Sequence, residues 1–189
     1  MKKIINIVII TLCLLGVLTG CQKKNNTTNS LNETPSELLS KIVSKASEYD
    51  KDEEYGLATI EVEEHKITKE ETEDVLGLSE KDFSKYVDTA LESKVVNSWV
   101  NHSIVVVKIK DGQDIKEVAE KIVKNTSPSR FGCLKASKIE GAYYGNYVIY
   151  AASDETIVDN VIKAFKEITN NKQTIITREN NWDTNFFDE

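Results

Sequence analysis

The sequence predicts an α+β domain: a small antiparallel sheet with helices packed mainly on one face. Three observations carry this expectation. Apolar residues recur at helical spacing in three separate stretches, Ile104 to Ile109 is a run dominated by β-branched residues, and Gly145-Asn146 stands between two alternating segments at hairpin spacing. Strands joined by short turns pair antiparallel, and each one-sided helix needs a sheet face to cover. The chain has 189 residues, 40% of them hydrophobic, with only two prolines, which suits one packed domain and not a disordered repeat.

The first element is not part of that domain. Lys2 and Lys3 form a positive start, Ile4 to Val17 an apolar run, and Leu18-Thr19-Gly20-Cys21 follows directly. The run falls short of the roughly 20 apolar residues that a membrane span needs. Its order of Leu, small polar residue, Gly and Cys is that of a bacterial lipobox. Residues 1–20 therefore read as a lipoprotein signal peptide cleaved between Gly20 and Cys21, with the Cys21 thiol as lipidation site. Two acyl chains, at about 0.8 kcal/mol per buried CH₂, suffice to hold a protein on a membrane. This predicts a lipid-anchored protein on the extracytoplasmic face of the cell membrane. Cleavage removes two lysines and no acid, so the net charge falls from -7 to -9, with 22 basic against 31 acidic residues. Such a balance repels nucleic acids and other polyanions, so no nucleic-acid partner is expected.

Residues 21–33, rich in Lys, Asn and Thr, read as a flexible tether, followed by a single domain over 34–170 and a C-terminal extension over 171–189. Thr34-Pro35-Ser36-Glu37 is a capping box with proline at the first helical position, and Leu38, Leu39, Ile42, Val43 and Ala46 give a helix over about Pro35 to Tyr49. A short extended segment is expected around Leu57, Thr59 and Ile60. Thr68-Lys69-Glu70-Glu71 opens a short helix stopped by Gly77, Ser79 to Phe83 adds another turn, and Tyr86 to Asn97 alternates as a strand. Ile104 to Ile109, β-branched at every position but Lys108, suits a central strand covered on both faces or nearly so. Asp114 caps a helix over Ile115 to Asn125 whose apolar face is Ile115, Val118, Ala119, Ile122 and Val123. The hairpin joins Ile139 to Tyr144 with Tyr147 to Ala152, Ser153 or Asp154 caps a last helix through about Thr169, and Thr174 to Thr177 can hold a short strand.

The stretch from about Lys69 to Lys166 resembles the DUF4358 family of bacterial, mainly clostridial, lipoproteins. The strand Ile104 to Ile109 with Lys110-Asp111-Gly112, the helix from Asp114, and Gly145-Asn146-Tyr147-Val148 leading to Ser153-Asp154 carry the likeness. It departs from the family pattern between Thr126 and Lys135, where the arginine is displaced and a cysteine enters. The resemblance implies an extracytoplasmic domain but no activity. A looser analogy, resting on size, address and α+β character, is to lipoproteins of spore-forming bacteria that assist a cell-wall amidase.

Side chains able to do chemistry are few. With Cys13 in the signal and Cys21 acylated, Cys133 stands alone, which rules out an intramolecular disulfide in the mature form and reads as a small, half-buried apolar residue. A surface hydrolase or thiol enzyme would need Cys133 and His102 to meet in space, and nothing local arranges that. Glu61, Glu63, Glu64 and His65 read as a solvated charged edge, lacking the paired histidines of a metalloprotease helix. Asp111-Gly112-Gln113-Asp114 lacks the further ligands of a calcium loop and reads as a turn and a cap. No metal, cofactor or catalytic set is expected. Tyr143, Tyr144, Tyr147 and Tyr150 make an aromatic cluster on the hairpin that reads as core and sheet-face packing, with a partner-binding patch as the alternative. The expected role is a non-catalytic binding or accessory domain for an envelope partner.

Overall fold

A computed structural model describes residues 31–50, 56–96, 101–131 and 134–182. In chain order these form α1 (Pro35–Tyr49), β1 (Val62–Lys66), α2 (Thr72–Leu76), α3 (Glu80–Tyr86), β2 (Val87–Val95), β3 (Ser103–Ile109), α4 (Ile115–Asn125), β4 (Lys138–Tyr144), β5 (Tyr147–Ser153), α5 (Glu155–Ile168) and β6 (Thr174–Thr177). The six strands make one sheet in the order β1-β2-β3-β5-β4-β6, every neighbour antiparallel. The α+β class and the antiparallel sheet are as expected.

Local chemistry sets the helix ends. Thr34 Oγ1 accepts the Glu37 N–H at 3.3 Å while the Glu37 carboxylate accepts the Thr34 N–H at 2.8 Å, so the capping box closes and α1 starts there. Asp114 accepts the Lys116 and Glu117 N–H groups and starts α4. Gly77, at φ 60°, stops α2 in the left-handed region that other L-residues avoid. Asp154 is the N-cap position of α5, yet its side chain accepts from the Ser137 hydroxyl instead of from the helix.

Helices cover both faces of the sheet, which corrects the expectation that they pack mainly on one face. Alternate residues of β3 point opposite ways: Val105, Val107 and Ile109 meet Val118 and Ile122 of α4, while Ile104 and Val106 meet Leu39 and Ile42 of α1 and Val161 and Phe165 of α5. Topology explains this. The step from β3 through α4 to β4 and the step from β5 through α5 to β6 each cross two strand positions in the same lateral direction. Because β3 and β5 run antiparallel, crossovers of one hand must carry α4 and α5 to opposite faces.

Three further boundaries differ from expectation. Residues 57–60 are a turn and not a strand, since the Gly56 carbonyl accepts the N–H groups of Thr59 and Ile60. The edge strand β1 follows one element later, in a charged sequence without apolar alternation. The domain also extends beyond 34–170. Leu31 packs on the core, the Tyr147 hydroxyl donates to the Glu33 carbonyl at 2.6 Å, β6 completes the sheet, and the Trp182 indole donates to the Ala136 carbonyl at 2.6 Å.

Candidate functional site

Gly20, Cys21 and Cys133 lie outside the described residues. His102, just before β3, is 1% exposed, and burial pushes its imidazole down to about pKa 4, so the ring is neutral at pH 7. Neither ring nitrogen has a hydrogen-bond partner among the described residues. Asp111 to Asp114 form a turn, with Gly112 at φ 80° and Gln113 N–H donating to the Lys110 carbonyl, followed by the α4 cap.

The four tyrosines do not share a surface, which corrects the notion of a hairpin patch. Strand pleating sends Tyr143 and Tyr150 to the α4 face, and Tyr144 and Tyr147 to the α1/α5 face. Tyr147 and Tyr150 are fully buried. Tyr150 donates its hydroxyl to the Val75 carbonyl at 2.5 Å, and burial raises its pKa, which keeps the donor proton in place.

The charged edge also separates by face. His65 Nε2 lies 2.8 Å from Glu71, and Glu63 lies 3.3 Å from Lys94. Glu64 points the other way and accepts the Ser36 hydroxyl at 2.7 Å. Among the described residues no group of three or more His, Cys, Asp or Glu converges as metal ligands.

Two arrangements emerge that the sequence does not reveal. The first is a buried polar tie on the α4 face. Arg130 Nη1 donates to Glu92 Oε1 and to Ser103 Oγ, both at 2.8 Å, and Ser103 donates to Glu92 at 2.5 Å. The Arg130 and Glu92 side chains are 9% and 2% exposed. Burial works against the guanidinium charge, but Tyr150, Glu92 and Asp74 offset it and leave the pKa above its ordinary value. The tie pins the connection between α4 and β4 to the sheet. The only sequence signal is Glu92, an acid at an inward-pointing strand position.

The second is a groove of about 330 Å³ on the opposite face, between α1 and the β1 edge. Its walls are Leu39 and Val43 of α1 and Val62 and Glu64 of β1, and its floor includes Ser93 of β2. Helix α1 covers β2 and β3, so it leaves the outermost strand uncovered on this side. Ser93 is 4% exposed, and its hydroxyl has no partner among the described residues. A volume at the lower end of the ligand-pocket range (about 300–1,000 Å³), apolar walls and one orphaned hydroxyl make this groove the candidate binding site. It could take an apolar side chain or small group, with the hydroxyl and Glu64 for orientation.

No protein-family model, no curated protein and no solved structure matches the chain.

Proposed function

We propose that the protein is a bacterial lipoprotein of the DUF4358 kind, held on the extracytoplasmic face of the cell membrane by acyl chains on Cys21. Its domain serves as a non-catalytic binding or accessory module for an envelope partner; the amidase-assisting analogy suggests a cell-wall enzyme in a spore-former. The observation that carries the address is Leu18-Thr19-Gly20-Cys21 directly behind a short apolar run. Among the described residues no helix is long and apolar enough to cross a membrane. What supports a binding role is the groove beside α1, whose N-terminus receives the chain from Cys21. The ten residue-to-residue steps from Cys21 to Leu31 span at most about 35 Å when extended, which keeps the groove within reach of the membrane-proximal envelope.

Metabolic labelling with palmitate tests the anchor. Wild type should take up label and pellet with membranes, while Cys21→Ser should stay unlabelled and retain residues 1–20. Equal labelling of both would overturn the assignment.

A further inference from the structure

We propose that the β1 edge and the groove beside it form one docking site for an extended, basic polypeptide segment, which adds as a further strand outside β1 and seats an apolar side chain between α1 and Ser93. The proposal deepens the accessory reading above and rests on it for the partner being an envelope protein.

The backbone argument comes from hydrogen-bond parity. The Glu61 carbonyl accepts the Val96 N–H at 3.0 Å, and the Ile67 N–H donates to the Ala90 carbonyl at 3.0 Å. Odd-numbered residues of β1 therefore direct their peptide groups at β2, and Val62, Glu64 and Lys66 direct theirs outward. No strand lies outside β1 among the described residues, so these groups form a ready template for strand addition. The side-chain argument concerns the same residues. Pairing of Glu64 with Ser93 puts Val62 and Glu64 on the α1 face, at the groove. An added strand in register would place alternate side chains over the groove, where Val43 and Val62 are only partly buried and the Ser93 hydroxyl is unsatisfied.

Charge selects the occupant. Glu61, Glu63 and Glu64 outnumber Lys66 along the edge, and the mature chain is strongly acidic. Antiparallel pairing of β1 with a second copy over its full length would set Glu64 opposite Glu64, a destabilising like-charge pair. The C-terminal residues Asp183 to Glu189 carry the same sign as the edge, and residues 22–30 contain no large apolar side chain for the groove. A basic segment with alternating apolar residues satisfies the backbone, the groove and the charge together.

The test uses the mature chain and a blocked, fluorescent peptide of alternating lysine and valine, followed by anisotropy and by amide NMR shifts. Saturable binding is expected, with the largest shifts at Val62, Glu64 and Lys66 and an affinity at least about tenfold above that of the glutamate-valine counterpart. Glu64→Lys, on an exposed edge, should weaken binding by about tenfold, whereas Glu155→Lys at the start of α5 should leave it unchanged. Absence of binding, indifference to Glu64→Lys, shifts centred on β6, or a β1-paired dimer in sedimentation would each overturn the proposal. Because the assay needs no membrane, its failure is distinct from failure of the lipid anchor.

Discussion

The two faces of the sheet are built differently. On the α1/α5 face, Leu38, Ile42, Val161, Phe165 and their neighbours form an apolar layer from helices with regular apolar stripes, with the Tyr147 hydroxyl bonded to the Glu33 carbonyl. On the α4 face the apolar layer is crossed by polar ties: Arg130 to Glu92 and Ser103, Tyr150 to the Val75 carbonyl, and Arg178 to the Val123 and Thr126 carbonyls. The difference follows from what each face must hold. Two long helices can cover a face by burial, which has no preferred direction. The α4 face carries one long helix, two short ones and the loop residues 126–131, and irregular backbone needs directional bonds to stay in one place.

That contrast makes the faces break differently. The largest expected loss is from Arg130→Met, which strands Glu92 in the interior at a cost of about 3–5 kcal/mol, measurable by urea unfolding. Adding Glu92→Met should recover much of it. Phe165→Ala on the other face should also cost about 3–5 kcal/mol through cavity formation, but no second deletion beside it should recover the loss. Equal behaviour of the two pairs would remove the distinction.

His102 lies outside both apolar clusters and adds a pH dependence of its own. Its folded pKa, about 4, is below the ordinary histidine value of 6.5. Between these values the unfolded chain binds a proton that the folded chain refuses. Stability is therefore full above pH 6.5 and declines towards pH 4, by about 3 kcal/mol at 1.36 kcal/mol per pKa unit. Replacing His102 with leucine should flatten that slope in unfolding curves taken across this window.

Gly141→Ala should act through close packing on the α4 face. A Cβ there would stand 2.4 Å from Val123 Cγ2 and 2.8 Å from the Ile149 carbonyl oxygen, so a cost of about 1–3 kcal/mol is expected in thermal melts. The smallest effect belongs to Thr34→Ala. It removes one half of the α1 capping box at about 1 kcal/mol, and a Thr34→Ser control should lose little.

Several features were legible because they depend only on neighbours in sequence. The Thr34 and Asp114 caps, the amphipathic stripes of α1, α4 and α5, the hairpin at Gly145-Asn146 and the central strand all follow from spacing within a few residues. The apolar run Ile104 to Val107 in β3 even carried the sign of two covered faces. Strand β1 is not legible in the sequence because an edge strand keeps charged residues to discourage pairing, which erases the alternation that marks a strand. Residues 171–189 read as an extension outside the domain because β6 is four residues long and only one of them is buried.

The candidate site was less legible than the fold. Sequence alone carried the Leu18-Thr19-Gly20-Cys21 motif, the acidic balance, the charged edge and the element order apart from β1, since these are properties of residue identity and short-range periodicity. Tertiary structure decided which faces the helices cover, how the hairpin tyrosines divide, that Arg130 reaches Glu92 across 38 positions, and that α1 stops short of β1 to leave a groove floored by Ser93. Those outcomes depend on strand order and crossover hand, which bring distant residues together by geometry that no local window contains.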